Sequence, residues 1–302
     1  MKKFISGLLF VNFIIISAIF IINFSILMLT KTDNYFKLDK KINKLIVGDS
    51  HTAYSIDDKI LTNSINLSKS ADNYLYSYAK IRTITQNNPQ IDTILLGFAY
   101  HNLMNKDFEN WFGGQEKYHA YFPLLTLNEL KFLFSINPKH FINSNLYLSG
   151  GMLDIVEKII LGKNPINNLG RYRKTHENKL NIGIDRLKKN KTDNKISADF
   201  LEYDKEYLIK ISNYCKQNNL TLILISTPIH STLESTFTYE KDDYYEFYQS
   251  NLSQNKLLNF SKTYIENVGF RDCDHLNYTG AVVFSQILKN EIKNLHTENA
   301  KN

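Results

Sequence analysis

The sequence predicts an α/β protein in which helices cover both faces of a parallel sheet. A transmembrane helix precedes the sheet and a large insertion interrupts it. Three observations carry this reading. Residues Phe4 to Leu29 contain no charged side chain. Beyond them, short apolar runs alternate with amphipathic helical stretches, the pattern of a parallel sheet. Between Gly97 and Thr221 lies far more chain than one strand-to-strand crossover needs.

The apolar segment comes first. A helix rises about 1.5 Å per residue, so this one exceeds a ~30 Å hydrocarbon core and spans it with some tilt. No small-x-small cleavage site follows, so residues 1–30 read as an uncleaved signal anchor. Lys2 and Lys3 favour a cytoplasmic N-terminus, although Lys31, Lys37, Lys40, Lys41 and Lys44 lie on the other flank. The expected topology is single-pass in the cytoplasmic membrane, with the bilayer as one partner. The soluble domain is then extracytoplasmic. Residues 31–43 are polar and Lys-rich and read as a stalk.

The domain proper is expected over residues 44–298. Leu45-Ile46-Val47 ending at Gly48 is a short buried strand. Ile65-Asn66-Leu67 is a second. A helix from Asn73 to Gln86 follows, with Asp72 as its expected cap and Pro89 beyond it. Thr93 to Gly97 is a third strand. Leu222 to Ile225 is a fourth, preceded by a helix over Phe200 to Gln217 with Leu201, Leu208, Ile211 and Cys215 on one face. Gly280 to Leu295 closes the domain, aligning Phe284, Leu288, Ile292 and Leu295. Residues 102–199 are the insertion. It carries Trp111, Gly113-Gly114 and helices near Asn128 to Phe134 and Leu153 to Leu161, and reads as a lid subdomain.

Composition narrows the function. The chain has 302 residues, 43% hydrophobic and 22% charged, enough to pack one large α/β core or two small ones. Tyr and Phe, 19 each, mostly fill such cores. The net charge of +6 comes from scattered Lys, with no long basic run among aromatics, so nucleic acid is not an expected partner. A basic surface beside a membrane favours anionic lipid or anionic glycan. Cys215 and Cys273 form no C-x-x-C, so zinc and redox motifs are absent, and no cofactor is expected.

Gly48-Asp49-Ser50-His51 directly follows the first strand, at the sheet edge where ligands bind. Gly48 permits a tight turn and Ser50 opens a helix with its own N–H facing an incoming carbonyl. A serine hydroxyl needs a base, and the base needs an orienting acid. Asp272-Cys273-Asp274-His275 lies just before the last helix. The three-residue spacing lets one loop present Asp272 to one ring nitrogen of His275 while the other faces Ser50. The plain alternative is a solvated turn at Asp49-Ser50 and a capping Asp272. His51, His101 and His230 all follow strands at the same edge and are candidate pocket residues beside Asp49. Asp272, Asp274 and His275 lack further ligands in sequence, so no metal is expected.

This layout resembles the SGNH/GDSL hydrolase family. The resemblance covers about residues 44 to 296, with the insertion unmatched, and implies a flavodoxin-like three-layer α/β/α fold. Gly48-Asp49-Ser50 is similar to the first family block and Asp272 to His275 to the last. Asn66-Leu67-Ser68-Lys69-Ser70-Ala71-Asp72 resembles the second block, N-x-x-x-S-G-D, with Ala71 replacing the glycine whose N–H serves the oxyanion. The third block, G-x-N-D, is altered to Gly97-Phe98-Ala99-Tyr100-His101-Asn102, with its Asn displaced.

The resemblance implies a Ser50–His275–Asp272 triad and an oxyanion site made by the N–H groups of Ser50 and Ala71, with Asn102. It implies a serine esterase or O-acyltransferase acting on acyl esters, best acetyl, of extracytoplasmic glycans. A membrane partner for acyl transfer fits that topology. The alternatives are a catalytically weak domain that binds glycan or scaffolds an envelope-polymer assembly, and a lipid esterase.

Overall fold

The computed structural model describes residues 2–30, 36–103, 112, 114–146, 157–158, 160–163, 165–189, 198–235 and 239–299. Trp111, Gly113, residues 31–35 and most of the helix expected over 153–161 lie outside the described residues. The chain forms two units, one of residues 1–37 and 112–168, the other of residues 38–111 and 169–302. Of the segment 102–199, therefore, residues 112–168 group with the apolar helix, and the chain from Leu169 onward groups with the sheet.

In the first unit, α1 (Lys2–Thr30) contains the stretch Lys3–Ile22, long and apolar enough to cross a membrane and exposed along its length. The unit also holds α4 (Gly114–Tyr121), α5 (Leu127–Ile136) and α6 (Pro138–Leu146). Thr126 and Glu129 start α5 with a reciprocal cap: the Glu129 N–H donates to the Thr126 hydroxyl at 3.3 Å and the Thr126 N–H to the Glu129 carboxylate at 2.7 Å.

The second unit is built on five parallel strands: β1 (Lys44–Val47), β2 (Ser64–Asn66), β3 (Thr93–Gly97), β4 (Thr221–Ser226) and β5 (Lys256–Asn259). Their order is β2-β1-β3-β4-β5, with registers such as Ile46↔Leu95 and Leu96↔Leu224. All five residues of β3 are buried, so both faces of the sheet are covered. The covering helices are α2 (Ser50–Ser55), α3 (Tyr74–Asn87), α7 (Leu180–Lys189), α8 (Ala198–Gln217), α9 (Ser231–Glu234), α10 (Tyr239–Asn251) and α11 (Tyr278–Asn299). Helix α3 packs against α8 and α11 against α2. Strand order reverses between β1 and β3, which opens a crevice at their carboxyl ends, the usual ligand site of such sheets.

Two elements differ from expectation. Strand β5 was not predicted, because Lys256-Leu257-Leu258-Asn259 buries only Leu258 fully at the sheet edge. The cap of α3 is Asn73, whose side chain accepts from the Tyr76 N–H at 3.0 Å, and not Asp72. The Asp72 carboxylate instead meets Lys80 Nζ at 3.0 Å, both side chains fully buried. Lys80 also donates to the Leu67 carbonyl. This pair ties the loop after β2 to the side of α3.

Removing one member strands the other charge in the interior, which costs about 3–5 kcal/mol. Lys80→Met is expected to destabilise by that order in denaturant unfolding of the full chain. The double variant Lys80→Met/Asp72→Leu should recover most of the loss.

Candidate active site

Strand β1 ends at Gly48. A side chain there would collide with the Thr52 hydroxyl and lie 3.2 Å from the Gly97 Cα, so glycine lets the ends of β1 and β3 close around α2. Asp49 caps α2, its carboxylate accepting from the His51 N–H at 2.9 Å. Ser50 is thus the first residue of the helix, half-exposed, and its N–H donates to no other described residue.

The Ser50 hydroxyl donates to His275 Nε2 at 2.8 Å, and His275 Nδ1 donates to Asp272 Oδ1 at 2.9 Å. The first of these bonds joins residues 225 apart in sequence. The same Asp272 oxygen accepts the N–H groups of Asp274 and His275, each at 3.0 Å. An antiparallel bridge between Phe270 and Leu276 closes the loop. Asn277 pins its base, donating to the carbonyls of Val268 (2.7 Å) and Phe270 (3.1 Å) while accepting from the N–H of Thr279 (3.0 Å) at the start of α11. Burial pushes the Asp272 carboxyl up. The hydrogen bonds from the His275 ring and from the N–H of Asp274 outweigh it, so the group stays below its ordinary value and ionised. With Nδ1 protonated toward Asp272, Nε2 is the acceptor for the serine proton.

Asp49 is committed on both oxygens. Oδ2 accepts from His101 Nε2 at 3.0 Å and from the Asn102 amide at 2.8 Å. The Asn102 side-chain oxygen accepts the Ala99 N–H at 2.9 Å. The displaced Asn of the third block therefore points its amide at Asp49. His51 stacks on His101 with ring centroids 3.8 Å apart, and its ring lies 5.0 Å from that of His275. Among the described residues the buried His51 Nδ1 has no hydrogen-bond partner. Burial, reinforced by His101, holds its pKa well below the usual histidine value, so the ring is neutral. His230 braces the acid–base loop: its N–H donates to the Cys273 carbonyl at 3.0 Å, its Nδ1 accepts from the Thr232 N–H at 3.2 Å, and Nε2 meets the Asn267 side chain at 3.2 Å.

In the loop after β2, the buried Asn66 donates to the carbonyls of Thr52 (3.1 Å) and Ile56 (2.7 Å) and accepts the Ser68 N–H (2.9 Å). It satisfies the end of α2 and fixes the loop to it. Ala71 sits at φ +58°, the left-handed region that favours glycine. Its N–H donates to no other described residue. The site thus holds two uncommitted main-chain N–H groups, on Ser50 and Ala71.

One contributor was not anticipated. Residues 170–179 form an extended strap stitched to the loops around the serine. Arg171 N–H donates to Ser68 O (3.0 Å), Arg173 N–H to Ala53 O (2.7 Å), Tyr278 N–H to Thr175 O (2.6 Å) and Lys179 N–H to Arg271 O (2.5 Å). Gly170, at φ +142°, runs so close to the Leu67 carbonyl that any side chain would clash. The strap has no hydrophobic period to betray it. The only sequence signal is a glycine followed by clustered cations.

Asp272, Asp274 and His275 could each offer one ligand atom within 4.8 Å of the others. Asp272 Oδ1 and His275 Nδ1 are already bonded to each other, which is the geometry of an acid–base pair.

A family model of an uncharacterised family matches residues 170–297, less than half of the chain. The match begins at the strap and includes Asp272 and His275 but not Ser50. No curated protein and no solved structure matches the chain.

Left-handed backbone costs a side chain about 1–2 kcal/mol, partly offset by the greater freedom glycine gives the unfolded chain. Ala71 is exposed, so Ala71→Gly loses no packing. It is expected to raise the melting temperature by about 2–4 °C. A second expectation concerns acid. Below about pH 6.5 the unfolded chain binds a proton at His51 that the folded chain excludes, so stability falls as pH drops through that value. The lowered Asp272 acts at lower pH, below about 4, where stability is lost as the folded carboxyl takes up its proton. Melting curves at pH 7.5 and 5.5 should therefore differ less for His51→Phe than for the unaltered chain.

Proposed function

We propose that this chain is a serine esterase or O-acyltransferase of SGNH/GDSL type. Its substrates are acyl esters, best acetyl, of glycans outside the cytoplasmic membrane, to which α1 anchors it. The observation that carries the reading is the unbroken Ser50–His275–Asp272 hydrogen-bond chain at the β1/β3 crevice. The 2-1-3-4-5 strand order, which is the flavodoxin-like order, supports the family assignment.

In this mechanism the Ser50 oxygen attacks the ester carbonyl as its proton passes to His275 Nε2. Asp272 holds the ring and stabilises the imidazolium. The N–H groups of Ser50 and Ala71 receive the oxyanion. Collapse expels the alcohol, which takes the proton from Nε2, and leaves an acyl-serine. Water or a sugar hydroxyl then attacks the acyl-serine, giving its proton to Nε2, and collapse breaks the acyl–Ser50 bond, returns that proton to the Ser50 oxygen and releases the free acid or the acylated sugar. The polar groups around the acid–base pair, with the His51 ring 5.0 Å from that of His275 and Arg271 3.9 Å from Asp272, suit a short acyl group on a hydrated sugar better than a lipid chain.

The Asn102 amide, turned toward Asp49, favours a second reading, a weakly catalytic glycan-binding domain. One missing oxyanion donor costs about 10²–10³ in turnover. Full-length protein in non-ionic detergent, assayed with p-nitrophenyl acetate, distinguishes the two. Ser50→Ala is expected to lose at least about a thousandfold in kcat and all labelling by a fluorophosphonate. Equal rates for both proteins and no label on Ser50 would sink the esterase reading.

A further inference from the structure

We infer that Arg173 forms a subsite for an oxyanion carried by the substrate, so that the ester presented to Ser50 belongs to an acidic glycan. This rests on the esterase reading above and names its substrate class.

Arg173 is held from two sides by residues that border the candidate triad. Its guanidinium lies over the Tyr54 ring, 5.1 Å from the centroid, and donates to the Ser70 hydroxyl at 2.8 Å. Tyr54 lies one helical turn beyond Ser50, and its ring meets His275 edge-on at 5.2 Å. Ser70 directly precedes Ala71. Arg173 is thus one side chain removed from the base, through Tyr54, and one residue removed from the candidate oxyanion N–H, through Ser70.

The charge of Arg173 is also uncompensated. Among the described residues it has no carboxylate partner, and its one acceptor is a neutral hydroxyl. Its neighbours differ. Arg271, 4.8 Å from the centroid of the same Tyr54 ring, pairs with Glu177 at 3.3 Å and lies 3.9 Å from Asp272. Lys179 pairs with the same Glu177 at 3.0 Å. Glu177 thus neutralises one end of the strap and leaves Arg173 open at the other. Arg171 and Lys174, both exposed, add positive potential there. The strap's main-chain bonds fix where these cations stand. Tyr54 and Ser70 hold the guanidinium plane while its remaining N–H groups are open. A planar fork of this kind matches a carboxylate or phosphate bidentately.

The test uses the full chain in non-ionic detergent with acetylated oligogalacturonides and the same oligomers after methyl esterification of their carboxyls. The acidic form is expected to show a kcat/KM about five- to tenfold higher, carried by KM and reduced by salt. Arg173→Gln should bring the ratio close to one. Arg173→Lys should retain a smaller preference, and Lys210→Gln, which removes an equal charge from α8, should leave it intact. Calorimetry on Ser50→Ala reads binding without turnover. Carboxylate-dependent binding there, together with an unaltered chain that hydrolyses neither form, would overturn the esterase reading and keep the subsite. A preference seen only with 6-phosphorylated oligomannosides would identify the oxyanion as phosphate. Equal binding of acidic and neutral forms, or a preference that survives Arg173→Gln, overturns the inference. So does Arg173-dependent binding to phosphatidylglycerol micelles with none to either acidic glycan.

Discussion

The hydrogen bond from Ser50 to His275 connects the end of the first strand to the loop before the last helix, and the rest of the second unit is arranged around that closure. Most of the geometry on the His275 side is local. Three N–H groups converge on one Asp272 oxygen, and Asn277 fastens the loop to the start of α11. Ten residues thus form a preassembled acid–base unit. What remains long-range is the docking of α11 on α2. The buried Ala281, Phe284, Leu288 and Ile292 supply the apolar part of α11. Ser285 supplies a polar registration mark, accepting the Asp57 N–H at 2.8 Å and donating to the Ser55 carbonyl at 3.3 Å. A serine buried in a helix–helix contact fixes position along the axis more sharply than alkyl packing, because its partners tolerate little sliding.

The loop after β2 is the second fixed point. It is short of apolar residues and carries backbone strain at Ala71. It keeps one shape because Asn66 ties its start to α2, the Asp72–Lys80 pair ties its end to α3, and Arg173 and the Arg171 N–H hold its middle. Lys80 also takes the Leu67 carbonyl, so a single buried ammonium organises both ends of the loop. An ammonium in the interior is costly unless its hydrogen bonds are met. Here it is the feature that makes an otherwise pliable segment specific.

Sequence patterns exposed these parts unevenly. The strands β1, β3 and β4 were legible because a strand buried on both faces is written as a continuous apolar run. The acid–base loop was legible because its chemistry needs Asp and His at one spacing. By contrast β5 covers one edge with Leu257 and Leu258, too few residues to form a pattern. The cap of α3 was misplaced by one residue because Asp72 and Asn73 are both good caps, and only the burial of Lys80 decides that Asp72 is taken elsewhere. The strap lies between these cases. Its backbone bonds to loops rather than to a sheet, so no periodicity marks it, and its cations read as an ordinary solvated run. That His51 and His101 flank the cleft follows from their places after β1 and β3. Their stacking, and the shared dependence on Asp49, does not.

In the proposed mechanism Asp49 sets how an oxyanion could be held. A carboxylate that already accepts from the His51 N–H, His101 and Asn102 holds the Asn102 side chain in the scaffold. The donors left are main-chain groups, on Ser50 and Ala71. Main-chain donors are as rigid as the segments that carry them, and both segments here are fixed from several sides. Such a site loses a donor but keeps low reorganisation, which is the larger part of oxyanion stabilisation. A cation anchored at Ser70 then acts on the same region through the field and not through a hydrogen bond to the oxyanion. In the proposed esterase this arrangement would exchange the amide of an asparagine for a fixed positive rim, and a rim of that sign would select among esters by the charge of the polymer that bears them.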